Sequence, residues 1–191
     1  MSIDSARVVC TGCDYETRDL MRPVRVRYQA EDGKSVETGC ATGWCYDCAD
    51  YSSIERINPD VLRKELAQKE QAQREARDQL AALNEGWFSR VRYRAQKGHL
   101  RYQLGNLDNA IAKLGALIRM VNHRSSKARC LKCWSDKTAP VTFDAGNDAA
   151  QDFVHECGGQ LRIIHDHSGP RFHFRVATYV LNQEGELLVE E

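Results

Sequence analysis

The chain lacks the features that direct a protein to a membrane or an export route. Its first residues, Met1 to Arg7, contain no apolar core of the kind that a secretory signal peptide needs. No apolar run approaches the roughly 20 residues required to span a bilayer. We therefore expect a cytoplasmic protein with no membrane partner, in a reducing compartment where paired cysteines indicate metal sites rather than disulfides.

Motifs of the common enzyme classes are also missing. The sequence has no phosphate-binding glycine loop, no metalloprotease His-Glu-x-x-His helix and no Ser, His and Asp order typical of a catalytic triad. We predict a non-enzymatic protein with no small-molecule substrate. One alternative is a metal-dependent nuclease, because a turn at Ser168-Gly169-Pro170 would gather His165, His167 and His173 on one hairpin face.

Net charge is also absent from the whole chain, but its distribution along the sequence is uneven. Residues 1–57 carry a net charge of −3, residues 85–129 carry +8, and residues 130–191 carry −5. This asymmetry gives information about partners more than about the fold. It predicts a basic middle between two acidic ends.

Cysteine, in contrast, is plentiful, and the first four-ligand set is predicted near the N-terminus. Two Cys-x-x-Cys knuckles supply Cys10, Cys13, Cys45 and Cys48, which suit the tetrahedral shell that zinc prefers. Between the knuckles, alternation at 24–28 and 35–38 around Asp32-Gly33 predicts a hairpin. Cys40 is interpreted as a small buried residue, with replacement of Cys45 or Cys48 as the alternative.

A second four-ligand set is predicted near the C-terminus. Its members are Cys130, Cys133, His155 and Cys157, and His165 or His167 could substitute for His155. Gly158 and Gly159 follow Cys157, where a tight metal turn needs positive φ. Strands are expected at 161–164 and 172–181. Because protein fills all four positions in both sets, we predict two structural zinc ions.

The middle of the chain has the pattern of two long helices. Asn58-Pro59-Asp60 predicts a helix start, with a capping amide, a proline in the first turn and an acid near the dipole. Heptad a and d positions recur from Leu62 to Leu83, with polar residues at the centre, and apolar residues recur at the same spacing from Leu100 to Val121. This pattern predicts a coiled-coil-like pair. Gly105-Asn106 leaves open whether the second stretch is interrupted.

The expected tip of this helix pair, near residues 85–98, combines arginine with aromatic residues. Arginine forks match phosphate oxygens, and aromatic rings stack on bases or wedge between them. The alternatives are a solvated basic turn and a protein-docking tip. The predicted nucleic-acid contacts are Trp87, Phe88, Arg90, Arg92, Tyr93, Arg94, Lys97 and Arg101.

Together these patterns predict an α+β protein. We expect two small zinc-ribbon β modules flanking an antiparallel α-helical hairpin. The predicted domains are an N-terminal zinc ribbon at 1–57, a basic helical hairpin at 58–126 and a C-terminal zinc-ribbon and β-hairpin module at 127–191.

Residues 10–48 and 130–157 resemble zinc ribbons, a superfamily common in transcription, replication and RNA-processing complexes. The order of a zinc module, a basic hairpin and a second zinc module is similar to the small zinc-containing large-subunit proteins of type IV CRISPR complexes. That resemblance implies an antiviral-defence role, with protein subunits, DNA and RNA as partners. It further implies contact with the 5′ handle of the guide RNA and opening of the target duplex.

Two other functions fit the same pattern. One is a transcription regulator that inserts its coiled-coil tip into RNA polymerase. Such families carry acidic residues at the tip, whereas this tip has only Glu85, which counts against that interpretation. The other is a scaffold that joins two protein partners through the acidic ends of the chain.

Overall fold

The protein is an α+β protein made of two compact units. The computed structural model describes residues 2–3, 5–17, 24–29, 35–84, 93–144, 148–166, 172–173 and 176–190. One unit combines residues 1–56 with residues 125–191, and the other contains residues 57–124. The two ends of the chain therefore fold together.

The unit formed by the chain ends is built from β-strands. The strands are β1 Ser2–Ile3, β2 Ser5–Cys10, β3 Glu16–Thr17, β4 Val24–Gln29, β5 Ser35–Cys45, β6 Asp50–Glu55, β7 Thr138–Pro140, β8 Thr142–Phe143, β9 Ala149–Val154, β10 Gln160–Asp166, β11 Phe172–His173, β12 Ala177–Asn182 and β13 Leu187–Glu190. A five-stranded sheet has the order β3-β2-β10-β9-β8, and a six-stranded sheet has the order β13-β12-β4-β5-β6, with β7 also pairing with β5. Strands β1 and β11 form a separate two-stranded pair.

Strands from the two ends pair with each other in these sheets. Strand β2 pairs antiparallel with β10, β5 pairs antiparallel with β7, and β4 lies parallel to β12. The predicted division into separate modules at 1–57 and 127–191 is therefore wrong. Neither end forms these sheets alone, because strands of each end pair with strands of the other.

The local hairpin predicted in the first end is confirmed. Strands β4 and β5 pair antiparallel, with Val26 opposite Thr38, while the predicted turn at Asp32-Gly33 lies outside the described residues. Val26 and Tyr28 are buried and Arg25 is exposed. This is the alternation expected of a strand with one covered face.

The histidine hairpin predicted near residue 170 is not formed as expected. Strand β10, which contains His165, is flanked by β2 and β9, and β11 pairs with β1. His165 lies opposite Ala6 of β2, and His173 is paired with Ser2 of β1 rather than with His165. His167 and the predicted turn at 168–170 lie outside the described residues.

The core of this unit is aromatic and lies beside the metal ligands. Trp44 is buried among Tyr51, Phe153 and Leu161. At another buried position, the Glu55 carboxylate accepts hydrogen bonds of 2.8 Å from the Tyr28 hydroxyl and from the Arg129 backbone N–H. These bonds offset the cost of burying a carboxylate.

Two long helices occupy the described part of the second unit. Helix α1 runs over Pro59–Ala82 and helix α2 over Arg94–His123. The predicted start of α1 is confirmed, since the Asn58 side chain accepts hydrogen bonds from the backbone N–H groups of Asp60 and Val61. Helix α2 continues through Gly105, so the possible interruption there does not occur.

The helices pack side by side and run antiparallel. Arg63 near the start of α1 donates a hydrogen bond to Asn122 near the end of α2, at 3.3 Å. Further along α1, Gln73 donates to Asp108, and Arg77 lies 3.7 Å from the same carboxylate. In the part of the chain that the structure describes, no helix is long and apolar enough to cross a membrane.

Candidate metal centres and the basic hairpin

All eight predicted ligands lie in two clusters, but their pairing differs from the prediction. Within each cluster the ligand atoms lie within 4.8 Å of one another. We name the clusters the mixed site and the all-cysteine site. The mixed site contains Cys10, Cys13, His155 and Cys157, and the all-cysteine site contains Cys45, Cys48, Cys130 and Cys133. The predicted grouping by chain end is therefore wrong.

Strand register explains this exchange of partners. Cys10, at the end of β2, lies opposite Leu161 of β10, which brings its knuckle beside the one that precedes β10. At the other site, Cys45 lies opposite Thr138 of β7, and an isolated bridge joins Ile54 to Cys130. The long-range pairing of strands thus decides which knuckles meet.

The geometry of the mixed site fits one tetrahedral ion. Cys10 Sγ lies 3.4 Å from Cys157 Sγ, and His155 Nδ1 lies 3.2 Å from Cys157 Sγ and 3.6 Å from Cys13 Sγ. A tetrahedron with zinc–sulfur bonds of about 2.3 Å has sulfur–sulfur edges of about 3.8 Å. The four atoms are therefore close to zinc spacing, with His155 binding through Nδ1.

The all-cysteine site has similar spacing and deeper burial. Cys45 Sγ lies 3.5 Å from Cys133 Sγ, and both Cys45 and Cys130 are fully buried. Cys133 is exposed and Cys48 is half-buried. Four thiolates in this arrangement form a closed structural zinc site.

Backbone amides of the knuckles point at the ligand sulfurs. The N–H groups of Gly12, Lys132 and Gly159 each donate to the sulfur two residues earlier, at 3.4 Å. Such bonds favour the thiolate form, which is the form that binds metal. The backbone is therefore shaped for metal binding as well as the side chains.

Positive φ angles mark the residue after the last ligand in three of the knuckles. The angles are 83° at Gly158, 48° at Ala49 and 64° at Trp134. Gly158 confirms the predicted role of glycine there. Sequence reasoning missed Ala49 and Trp134, since only their position directly after a Cys-x-x-Cys knuckle indicated this conformation.

Gly159 has a different role from Gly158, because it allows two knuckles to touch. A Cβ atom on Gly159 would lie 2.5 Å from Gly12 N and 2.6 Å from Cys10 Sγ. A Cβ atom on Gly12 would lie 2.9 Å from Gly159 Cα. The mixed site therefore requires backbone to pack directly against backbone.

An aromatic group lies against the mixed site. The His155 ring stacks on Tyr15 at 5.3 Å and meets Trp44 edge-on at 4.9 Å, measured between ring centroids. Tyr15 donates a 2.6 Å hydrogen bond to Asp50, and Lys132 pairs with the same carboxylate at 3.4 Å. Trp44 precedes Cys45 and Lys132 precedes Cys133, so this group connects the surroundings of both sites.

Individual thiols within each site have pKa values shifted in opposite directions. A hydrogen bond with His155 lowers the pKa of the exposed Cys157 thiol to about 6. Burial raises the pKa of Cys45, and burial together with the neighbouring Cys133 raises the pKa of Cys48. Bound zinc would replace these protons and keep all four sulfurs as thiolates.

The predicted nucleic-acid contacts are only partly within the described residues. Trp87, Phe88, Arg90 and Arg92 lie outside them. Among the rest, Arg94 and Arg101 are exposed and Tyr93 is half-buried just before α2. Lys97 is only 6% exposed, so the expectation of a phosphate contact there is wrong. Its position on the covered side of the helix explains the burial.

The described helix places a further arginine in line with two of the predicted contacts. Arg119 lies 18 residues after Arg101, which is five turns of helix, and Arg94 lies almost two turns before Arg101. All three side chains are exposed on one side of α2. We call these three residues the arginine row.

Other predicted features take no part in the clusters. Cys40 is half-buried and lies outside both metal sites. His165 Nε2 lies 3.8 Å from Asp148 Oδ1 and is likewise not a member of either cluster. The alternatives that placed these residues among the ligands are therefore not supported by the geometry.

Comparisons with known proteins give no assignment for this chain. No protein-family model, no curated protein and no solved structure matches it.

Proposed function

We propose that this protein is a non-enzymatic, zinc-stabilised nucleic-acid-binding subunit of a larger nucleoprotein complex. The observation that carries the proposal is the arginine row, Arg94, Arg101 and Arg119, on one exposed side of α2. The only acid in this helix is Asp108, which lies 3.7 Å from Arg77 of α1. Its charge is therefore offset within the hairpin.

The dimensions of the arginine row suit a nucleic-acid backbone. Its ends lie 25 residues apart along a straight helix, or about 37 Å at 1.5 Å per residue. One turn of duplex DNA spans roughly 34–36 Å. Arginine also forms paired hydrogen bonds with phosphate oxygens more readily than lysine does. A contact of this kind fixes position on the backbone and does not read sequence.

The metal clusters support the non-enzymatic part of the proposal. Each is completed by four protein ligands, whereas catalytic zinc keeps a position open for water or substrate. Zinc would hold the two chain ends together in one unit. On the order of 10–16 kcal/mol of apparent binding energy per structural zinc then becomes folding energy.

The resemblance to type IV CRISPR large subunits suggests a narrower version of the proposal. In that version the hairpin contacts the 5′ handle of a guide RNA, and Trp87 or Phe88 helps to open a target duplex. The exposed, positively charged Arg94 at the start of α2 lies just beyond these aromatic residues in sequence. The preferred ligand in solution, duplex DNA, single-stranded DNA or RNA, tests this version.

The test is fluorescence anisotropy of the zinc-loaded protein with labelled nucleic acids over a salt series. Arg101→Glu removes a central member of the arginine row. Lys113→Glu is the matched control. Lys113 is exposed on the same helix, but its side chain points about a third of a turn around the helix axis from the arginine row. For duplex DNA, Arg101→Glu should flatten the slope of log K against log salt by about 0.9, while Lys113→Glu leaves it unchanged.

Four results would count against the proposal. Equal loss of binding in both variants would indicate nonspecific charge, and no binding to any nucleic acid at low salt would favour a scaffold. Recovery of RNA polymerase with the protein in the absence of nucleic acid would favour the transcription-regulator alternative. Metal-dependent cleavage of the labelled strand would instead indicate a nuclease.

A further inference from the structure

Strand β13 leaves an apolar edge exposed in the unit formed by the chain ends. Within the described residues, β13 ends its sheet and has β12 on one side only. Leu187, Leu188 and Val189 are 41%, 49% and 53% exposed. Since successive side chains of a strand point to opposite faces, apolar surface is exposed on both faces of this edge.

Such an edge is unusual without a partner. An edge strand presents unpaired N–H and C=O groups, and soluble proteins commonly protect it with charged residues or proline. Here the three central residues are all apolar, and carboxylates are found only at the flanks, as Glu186 and Glu190. The edge therefore favours the addition of another strand.

The flanking glutamates disfavour a second copy of this chain as the added strand. If Leu188 of two antiparallel copies lay opposite each other, Glu186 of one would face Glu190 of the other, and like charges in that position repel. If Val189 instead lay opposite Leu188 or Val189 of the other copy, Glu190 would lie opposite Leu187 or Leu188, which places a carboxylate on apolar surface. None of these registers is favourable.

We propose that β13 docks an extended segment of another protein, with apolar residues at its centre and lysine or arginine at its ends. The backbone of that segment would continue the sheet, its apolar side chains would cover Leu187, Leu188 and Val189, and its basic ends would meet Glu186 and Glu190. Strand β13 and the arginine row belong to different units of the chain. The inference therefore holds or fails independently of nucleic-acid binding.

The test uses the zinc-loaded full-length protein and three synthetic peptides. KTVLVTK has the proposed chemistry, ETVLVTE reverses the flanking charge, and KTVPVTK contains a proline that disrupts strand pairing. Amide chemical shifts of residues 187–190 are followed by NMR during titration. KTVLVTK should shift these signals, and the other two peptides should bind about tenfold more weakly or not at all.

Variants distinguish docking at the β13 edge from nonspecific hydrophobic binding. Val189→Lys should weaken KTVLVTK binding about tenfold, whereas Val154→Lys, at an exposed apolar position of the other sheet, should leave it unchanged. Glu190→Lys should shift the binding preference from KTVLVTK toward ETVLVTE. Loss of folding would weaken binding of both peptides and would not produce such a change of preference. No shift at β13 with millimolar peptide, equal binding of both charged peptides, or a dimer abolished by Val189→Lys would overturn the proposal.

Discussion

At the residue scale, the mixed site depends on two glycines that are not themselves ligands. Gly12 and Gly159 let the Cys10 and Cys157 knuckles touch through their backbones. The sequence predicts a metal turn with positive φ at both Gly158 and Gly159. In the structure, only Gly158 of these two residues has a positive φ. The physical requirement at Gly159 is space, and space depends on a partner that lies far away in sequence.

Gly159→Ala should reduce the zinc content of the purified protein from two ions per chain to one. Its new methyl group would lie 2.5 Å from Gly12 N, so the two knuckles must separate and the ligand set must open. Zinc is measured by elemental analysis after gel filtration. The control is Gly39→Ala, where a Cβ atom meets nothing within 4 Å and two zinc ions should remain. Full zinc content in Gly159→Ala would contradict this account.

At the element scale, the start of α1 was easier to predict than the extent of α2. Asn58, Pro59 and Asp60 lie next to one another in sequence, and the capping bonds they make are local. The continuation of α2 through Gly105 was not predictable in the same way. A glycine inside a helix costs roughly 1 kcal/mol relative to alanine, and packing along the long antiparallel pair offsets that cost.

Asn58→Ala should lower the stability of the helical hairpin by about 1 kcal/mol. The side-chain oxygen of Asn58 accepts from the N–H groups of Asp60 and Val61 at 3.0 and 3.3 Å, and alanine leaves both without that partner. Asn58→Asp keeps the acceptor and should unfold close to wild type. Urea unfolding followed by circular dichroism at 222 nm compares the three proteins. Equal midpoints for Asn58→Ala and wild type would show that the cap is unimportant.

At the scale of the whole molecule, the sequence identified the ligands but not their partners. Each Cys-x-x-Cys knuckle is visible within four residues, whereas the match of Cys10 with Cys157 depends on the register of β2 against β10 across most of the chain. The predicted and the observed groupings each consist of one set of four cysteines and one set of three cysteines and a histidine. Ligand chemistry therefore could not distinguish between them. Only the strand pairing between the two ends decides between them.

The shared core predicts that the two metal sites influence each other. Trp44 contacts His155 of the mixed site and directly precedes Cys45 of the all-cysteine site. Tyr15, which stacks on His155, is hydrogen-bonded to Asp50, and Asp50 pairs with Lys132 between two ligands of the all-cysteine site. Loss of one ion should therefore disturb the neighbours of the other.

Cys133→Ser should weaken zinc binding at the intact mixed site by about tenfold, a typical coupling between sites. The measurement is competition with a chelator of known zinc affinity, and Cys13→Ser should weaken the all-cysteine site by a similar factor because coupling is reciprocal. Cys40→Ser, outside both clusters, serves as the control. Unchanged affinity at the remaining site would show that the two centres are independent.

The pairing of the chain ends is tested most directly by cadmium-113 NMR. Two cadmium ions replace zinc, and correlation spectra connect each metal signal to the β-protons of the cysteines that bind it. The crossed arrangement predicts one signal connected to Cys10, Cys13 and Cys157, and a second connected to Cys45, Cys48, Cys130 and Cys133. A signal that connects Cys10 and Cys13 with Cys45 and Cys48 would contradict it.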